Sequence, residues 1–176
     1  DLELIVGPDQ VLAIRGCIYP STTEDIKLAA ELSDGRCLVG ETEIVSARSE
    51  IKNLWLEPRA PRALPEALEA IEEADIITIG PGSLFTSILP NLLVPGILEA
   101  INRSKAMKIF VCNIMTQPGE TDGFTVQDHL SVLLRYAPQL QFDIMLVNNA
   151  RLNKEQLAHY AAKGSYPVIN SDTRKM

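Results

Sequence analysis

Residues 75 to 91 read Asp-Ile-Ile-Thr-Ile-Gly-Pro-Gly-Ser-Leu-Phe-Thr-Ser-Ile-Leu-Pro-Asn. A β-branched apolar run, a glycine turn and a helix start follow one another without a gap. Ile76, Ile77 and Ile79 leave no polar face, the pattern of a parallel strand covered by helices. Gly80, Pro81 and Gly82 end the strand. Ser83, Thr86 and Ser87 then bring hydroxyls to the mouth of the next helix. Unpaired amides and a positive dipole end favour an anion there. The stretch predicts a phosphate-bearing ligand at the carboxyl edge of a parallel sheet. Gly-Pro-Gly-Ser matches neither the Walker loop nor the dinucleotide fingerprint, so an ordinary β–α turn accounts for the same residues equally well.

The rest of the chain extends this pattern. Residues 11–17 read as a strand, broken at Pro20-Ser21-Thr22-Thr23. Ile26, Leu28, Ala30 and Leu32 alternate at period two, Asp34-Gly35 follows, and 37–43 is strand-like, which predicts a β-hairpin. A further strand covers 51–56 and holds Trp55. After the proline-rich stretch 58–65, residues 64–74 form an amphipathic helix with Leu64, Ala67, Leu68 and Ile71 on one face. A strand at 76–79 and a helix at 84–93 come next. Pro95 restarts a helix to residue 102, at an early position where its missing N–H costs nothing. A strand at 109–112, a loop at 113–123, a helix at 125–136, a strand at 143–147, a helix at 153–161 and a short strand at Val168 complete the chain. Such alternation means an α/β fold in one domain, residues 1–176, with a mostly parallel sheet, helices on both faces and a hairpin near the N-terminus.

Charge narrows the partners. The net charge is −7 and the pI about 4.9, without the basic stripe that a nucleic-acid groove needs. A single nucleotide remains compatible, since backbone amides and one or two cations can hold its phosphates. No apolar run reaches the ~18 residues of a membrane span. Residues 88–101 come nearest and are broken by Pro90, Asn91 and Pro95. No basic start precedes an apolar segment, so a cytoplasmic protein is expected. Cys17, Cys37 and Cys112 lack Cys-x-x-Cys spacing and read as reduced thiols. His129 and His159 lie far apart, and no metal ligand set is expected.

Three strands end in polar loops: Gly80-Pro-Gly-Ser83, the run from Asn113 to Thr121, and Asn148-Asn149. Ligands of open parallel sheets bind outside the carboxyl ends of the strands. The middle loop is longer than the usual ~4–6 residues of a connection, as functional loops often are. It carries Asn113, Thr116 and Gln117. An Asn at position 148 can read donors and acceptors on a base or sugar, while Asn149 serves equally as a cap for the helix near Asn153. Glu120 and Asp122 read either as a carboxylate pair or, more simply, as two solvated loop acids.

The stretches Gly80-Pro-Gly-Ser-Leu-Phe-Thr-Ser-Ile-Leu-Pro-Asn-Leu-Leu-Val-Pro95 and Cys112-Asn-Ile-Met-Thr-Gln-Pro-Gly-Glu-Thr-Asp-Gly-Phe-Thr125 strongly resemble the YvcK-type branch of the CofD-like family, the bacterial gluconeogenesis factors. Arg15-Gly16, the Asp34-Gly35 hairpin and Leu146-Val147-Asn148 extend the resemblance over nearly the whole chain. It implies a three-layer Rossmann-like protein that binds a UDP-sugar, chiefly UDP-N-acetylglucosamine, and regulates cell shape, cell-wall synthesis and carbon metabolism. By position, Gly82, Ser83, Thr86, Ser87, Asn113, Met115, Thr116 and Gln117 match the ligand-facing residues, and Tyr160 matches a tyrosine near the sugar nucleotide. The family's opening Gly-Gly-Gly-Thr-Gly loop and Asp-Asp-Gly-Gly motif do not occur here. The chain therefore reads as the later portion of such a domain, cut short after Met176 within a basic segment.

Three functions compete. One is a non-catalytic sugar-nucleotide-binding regulator, which acts as a homo-oligomer or on cell-wall synthesis proteins. The second is a transferase of the 2-phospho-L-lactate type, which would use a nucleoside diphosphate-activated donor and magnesium. The third is a scaffold acting through protein contacts. The Pro-Gly-Ser-Leu-Phe motif and the lack of an evident general base favour the first.

Overall fold

The computed structural model describes residues 16–170. The strand expected over 11–17 lies outside that range except for Gly16 and Cys17, which are in no strand.

The hairpin forms where alternation and Asp34-Gly35 predict it. Strands β1 (Lys27–Leu32) and β2 (Cys37–Val39) pair antiparallel, with Ala30 opposite Leu38. Gly35 takes φ 85°, and the Asp34 side chain accepts from the Arg36 amide at 3.1 Å, closing the turn. The second strand is shorter than expected. Gly40, at φ 114°, ends it, and helix α1 (Glu41–Ser46) occupies the rest of the expected strand. β3 (Ile51–Glu57) pairs antiparallel with β1 on its other side, giving the order β2-β1-β3. Alternate residues Leu54 and Leu56 turn inward beside Leu32 and Ile44.

The second sheet is parallel, in the order β4-β5-β6, with β4 (Ile76–Ile79), β5 (Met107–Val111) and β6 (Ile144–Leu146). Ile77 faces Lys108 and Phe110 faces Met145. Among the described residues β4 is an edge strand, so Ile76 is exposed and only Ile79 is buried. The apolar run does not mean burial on both faces here. Helix α2 (Pro65–Glu73) precedes β4. After β4 the expected single helix is a π-helical turn, Leu84–Ile88, running into α3 (Leu89–Leu92). α4 (Ile97–Arg103) starts after Gly96, held at φ 96°, and not at Pro95. The Gly96 amide donates to Glu99 Oε2 at 2.9 Å, which closes the helix start.

α5 (Val126–Tyr136) and α6 (Lys154–Ala161) begin at Thr125 and Asn153, each with a capping box. The strand expected at Val168 is a single bridge between Met115 and Pro167. One core runs through both sheets, with Phe85, Phe110, Leu89, Leu133 and Ile44 at its centre. Each such side chain contributes ~1.5–3 kcal/mol by burial. Among the described residues no single helix is long and apolar enough to cross a membrane.

Candidate functional site: two interlocked loops beside an apolar cleft

β4 and β5 are parallel neighbours, so the loops that follow them emerge side by side. Gly80 allows their close approach: at φ 84°, an added Cβ would lie 2.5 Å from the Val111 carbonyl oxygen. The loops are then tied by side chains. The Gly82 amide donates to Asn113 Oδ1 at 3.0 Å, and Asn113 Nδ2 donates to the Gly82 carbonyl at 2.8 Å. Asn113 Nδ2 also donates to Gln117 Oε1 at 3.3 Å, and Gln117 Nε2 donates to the Ser83 hydroxyl. The backbone N–H and carbonyl of one residue, Gly82, thus set the orientation of both side-chain amides.

Thr86 looks elsewhere. Its hydroxyl donates to Glu120 Oε1 at 3.1 Å. Glu120 is only 8% exposed and its Oε2 has no hydrogen-bond partner. Burial raises the Glu120 pKa; the Thr86 hydroxyl and the Phe85 and Thr86 amides oppose the rise, and the charge of Glu41 adds to it. Glu120 is therefore not a solvated loop acid, nor is it paired with Asp122. Asp122 is exposed and accepts from the Gly119 amide at 2.7 Å, shaping the turn. A loop of polar residues gives no sequence signal for a buried carboxylate.

Thr116 is 2% exposed, and its polar groups are spent on the segment after α6. Its amide donates to the Tyr166 carbonyl at 2.7 Å, its Oγ1 accepts from the Tyr166 amide at 2.9 Å, and its carbonyl accepts from Ser165 Oγ at 2.6 Å. Met115 bridges Pro167 on the same side. Asn148 closes a local turn, bonding the Ala150 amide and carbonyl at 3.2 Å each. The helix cap is Asn153 itself, not Asn149. Tyr160 sits on α6 against the His159 ring, with centroids 5.5 Å apart. The structure thus joins Gly82, Ser83, Asn113 and Gln117 in one cluster, with Thr86 beside it on Glu120.

A cleft of about 490 Å³ opens beside this cluster. Gly80, Pro81, Gly82 and Ser87 line one end, Tyr19, Ser21 and Asn91 its polar part, and Ile71, Ile97 and Ile101 its apolar part. Asn91 joins two of these walls, accepting from Ser21 Oγ and donating to the Ser87 carbonyl at 2.7 Å. Sequence reading missed Tyr19, Ser21 and Asn91, since nothing in their local pattern marks them. Lys108 stands at the start of β5, at the opposite edge of the sheet.

His129 is 2% exposed; its Nδ1 lies 2.8 Å from the Thr125 carbonyl, and burial lowers its pKa. It is a core residue, packed edge-on to Phe124. The cysteines are free, and burial pushes the Cys112 thiol up to about 11. Among the described residues no group of three His, Cys, Asp or Glu side chains converges as a metal site.

The model of the family described as 2-phospho-L-lactate transferase CofD matches residues 3–176. The chain is 46% identical over 160 residues to the gluconeogenesis factor of Halalkalibacterium halodurans, covering 91% of this chain and 50% of that protein. It is 42% identical over 159 residues to the gluconeogenesis factor of Bacillus subtilis, covering 90% and 50%. The crystal structure of a member of the UPF0052 family from Bacillus halodurans superposes with a TM-score of 0.89 at 44% identity, covering 95% of this chain and 54% of that one. The chain spans between about a third and a half of the length of the curated relatives it matches. It belongs to the CofD family.

Proposed function

We propose that this chain, as a CofD-family domain, forms one wall of a nucleotide site that takes a UDP-sugar, UDP-N-acetylglucosamine, in a regulator of cell shape, cell-wall synthesis and carbon metabolism. The observation that carries this reading is the joining of the Gly82-Ser83 turn to Asn113 and Gln117, at the carboxyl edge of adjacent parallel strands and beside the cleft. That edge is where open α/β sheets bind their ligands. A serine hydroxyl on a glycine turn, with no cationic cluster beside it among the described residues, suits a phosphate held largely by backbone and neutral side chains. Titration calorimetry of the full chain with UDP-N-acetylglucosamine, GDP and phospholactate tests it. Binding of UDP-N-acetylglucosamine is expected, and Ser83→Ala should weaken it by ~1.5–3 kcal/mol with an unchanged unfolding midpoint. No heat with either nucleotide would sink the reading.

The description of the matching family model favours a second reading, a 2-phospho-L-lactate-type transferase. Mass spectrometry of a mixture of the full chain, magnesium, a nucleoside diphosphate-activated phospholactate and a deazaflavin acceptor separates the two: a transferred phospholactyl group supports the transferase.

A further inference from the structure

Three hydroxyls stand on the turn after β4, and they are not equivalent. The Thr86 proton is committed to Glu120. Ser87 is exposed, and its carbonyl takes the Asn91 amide. Ser83 is half-buried, and its oxygen accepts from Gln117 Nε2. That bond keeps the Ser83 proton off the Gln117 side, because a serine has one proton to give and here receives one from its neighbour.

The Gln117 orientation is itself imposed. Gly82 presents an N–H to Asn113 Oδ1 and a carbonyl to Asn113 Nδ2, so Asn113 has one orientation that satisfies both. Its second Nδ2 proton meets Gln117 Oε1, which turns Gln117 Nε2 toward Ser83. The Gln117 main chain is pinned as well: its amide donates to Thr121 Oγ1 at 2.9 Å, and its carbonyl accepts the Thr121 amide at 2.9 Å.

We infer that Asn113 and Gln117 are positioning residues that hold the Ser83 hydroxyl as a hydrogen-bond donor, so that this turn selects a ligand group bearing an acceptor oxygen, such as a phosphoryl oxygen. The inference rests on the nucleotide reading above and assigns the selecting contact within it. Asn113, with every amide group spent inside the protein, acts through Ser83 and not by touching the ligand.

The discriminating variant is Gln117→Glu. It keeps the length and the oxygen that accepts from Asn113. It replaces the donor facing Ser83 with an acceptor, so the serine must turn its proton inward. Calorimetry with UDP-N-acetylglucosamine on the full chain should show Ser83→Ala and Gln117→Glu each weakening binding about tenfold or more. The double variant should lose less than the two single variants lose together, the new carboxylate then adding only its repulsion of the phosphate. Undiminished binding by Gln117→Glu, or additive losses in the double variant, overturns the inference while leaving the nucleotide reading intact. A wild-type chain that binds no nucleotide overturns both. The side-chain amide protons of Asn113 and Gln117, read by nuclear magnetic resonance on the unmodified protein, should resist exchange with solvent. Rapid exchange at Asn113 overturns the inference even where Gln117→Glu fails to fold.

Discussion

Gly119 and Gly123 stand in the same loop with nearly the same backbone, φ 85° and φ 72°, yet their surroundings differ. A Cβ on Gly123 meets nothing within 4 Å, whereas one on Gly119 would lie 2.5 Å from the Val45 carbonyl oxygen at the end of α1. Gly123→Ala should therefore cost only the left-handed backbone penalty, about 1–2 kcal/mol. Gly119→Ala should cost about 1–3 kcal/mol more, because loop or helix must move. Urea unfolding midpoints check this, and equal costs would refute it. Next to Gly119, the Glu120 carboxyl holds its proton more tightly in the folded protein than its ordinary value of 4.5 implies. Ionised Glu120 thus opposes folding at neutral pH, and its share of stability improves as pH falls toward 4.5. Glu120→Gln should raise the thermal midpoint at pH 7, and the gain should shrink on acidification toward that value. A lowered midpoint at pH 7 would show that the Thr86 hydroxyl and the neighbouring amides outweigh the cost of burying the charge. His129 acts in the opposite sense: its pKa is lowered, so its share of stability is lost as pH falls below 6.5. The comparison with Glu120→Gln isolates the carboxyl.

Helix α5 is held at its start by reciprocal bonds. Thr125 Oγ1 accepts from the Asp128 amide at 3.2 Å, and Asp128 Oδ2 accepts from the Thr125 amide at 2.8 Å. These Thr125 bonds, backbone first, hold the Asp128 pKa below its ordinary 3.8. The cap's contribution is therefore present above that value and is lost as pH falls through the lowered pKa. Thr125→Ala should cost about 1 kcal/mol at pH 7 and less in strong acid. A cost that grows on acidification would contradict this. The same two residues explain why α5 could be read in the sequence: Thr-x-x-Asp before an apolar stripe is a local signal. The Asp34-Gly35 turn was equally legible. α1 was not, because six residues give too little periodicity to outweigh a strand-like start at Cys37, and Gly40 makes the break. Nor does any local pattern mark the π-helical turn at Leu84–Ile88, which buries Leu84 and Phe85.

Across the whole molecule, what the sequence hides is long range. The pairing of β4 with β5 follows from parallel alternation, and it brings Ser83 and Gln117 together although they lie 34 positions apart. The cleft's apolar wall depends on where α2 and α4 pack, which no local signal fixes. Thr116 looked like a ligand residue in a polar loop, but the chain that returns after α6 uses up its hydrogen bonds. The helix that leads into that return is itself weakly held. α6 buries none of its side chains, with Leu157 and Tyr160 exposed, and all three residues of β6 are exposed. α5, by contrast, buries Val126, His129 and Leu133 in the common core. Helices of eight residues are marginal without tertiary burial, so α6 depends on its Asn153 cap and on the residues that follow it. Local opening should therefore precede global unfolding here. In native-state hydrogen exchange the α6 amides should exchange far faster than those of α5, and low urea should speed α5 exchange while leaving α6 nearly unchanged. Equal protection of the two helices would mean that a surface covers α6 in the protein in solution. The Thr116–Ser165 and Thr116–Tyr166 bonds would then stay closed with it, and the long loop would be rigid as far as its junction with Gly82.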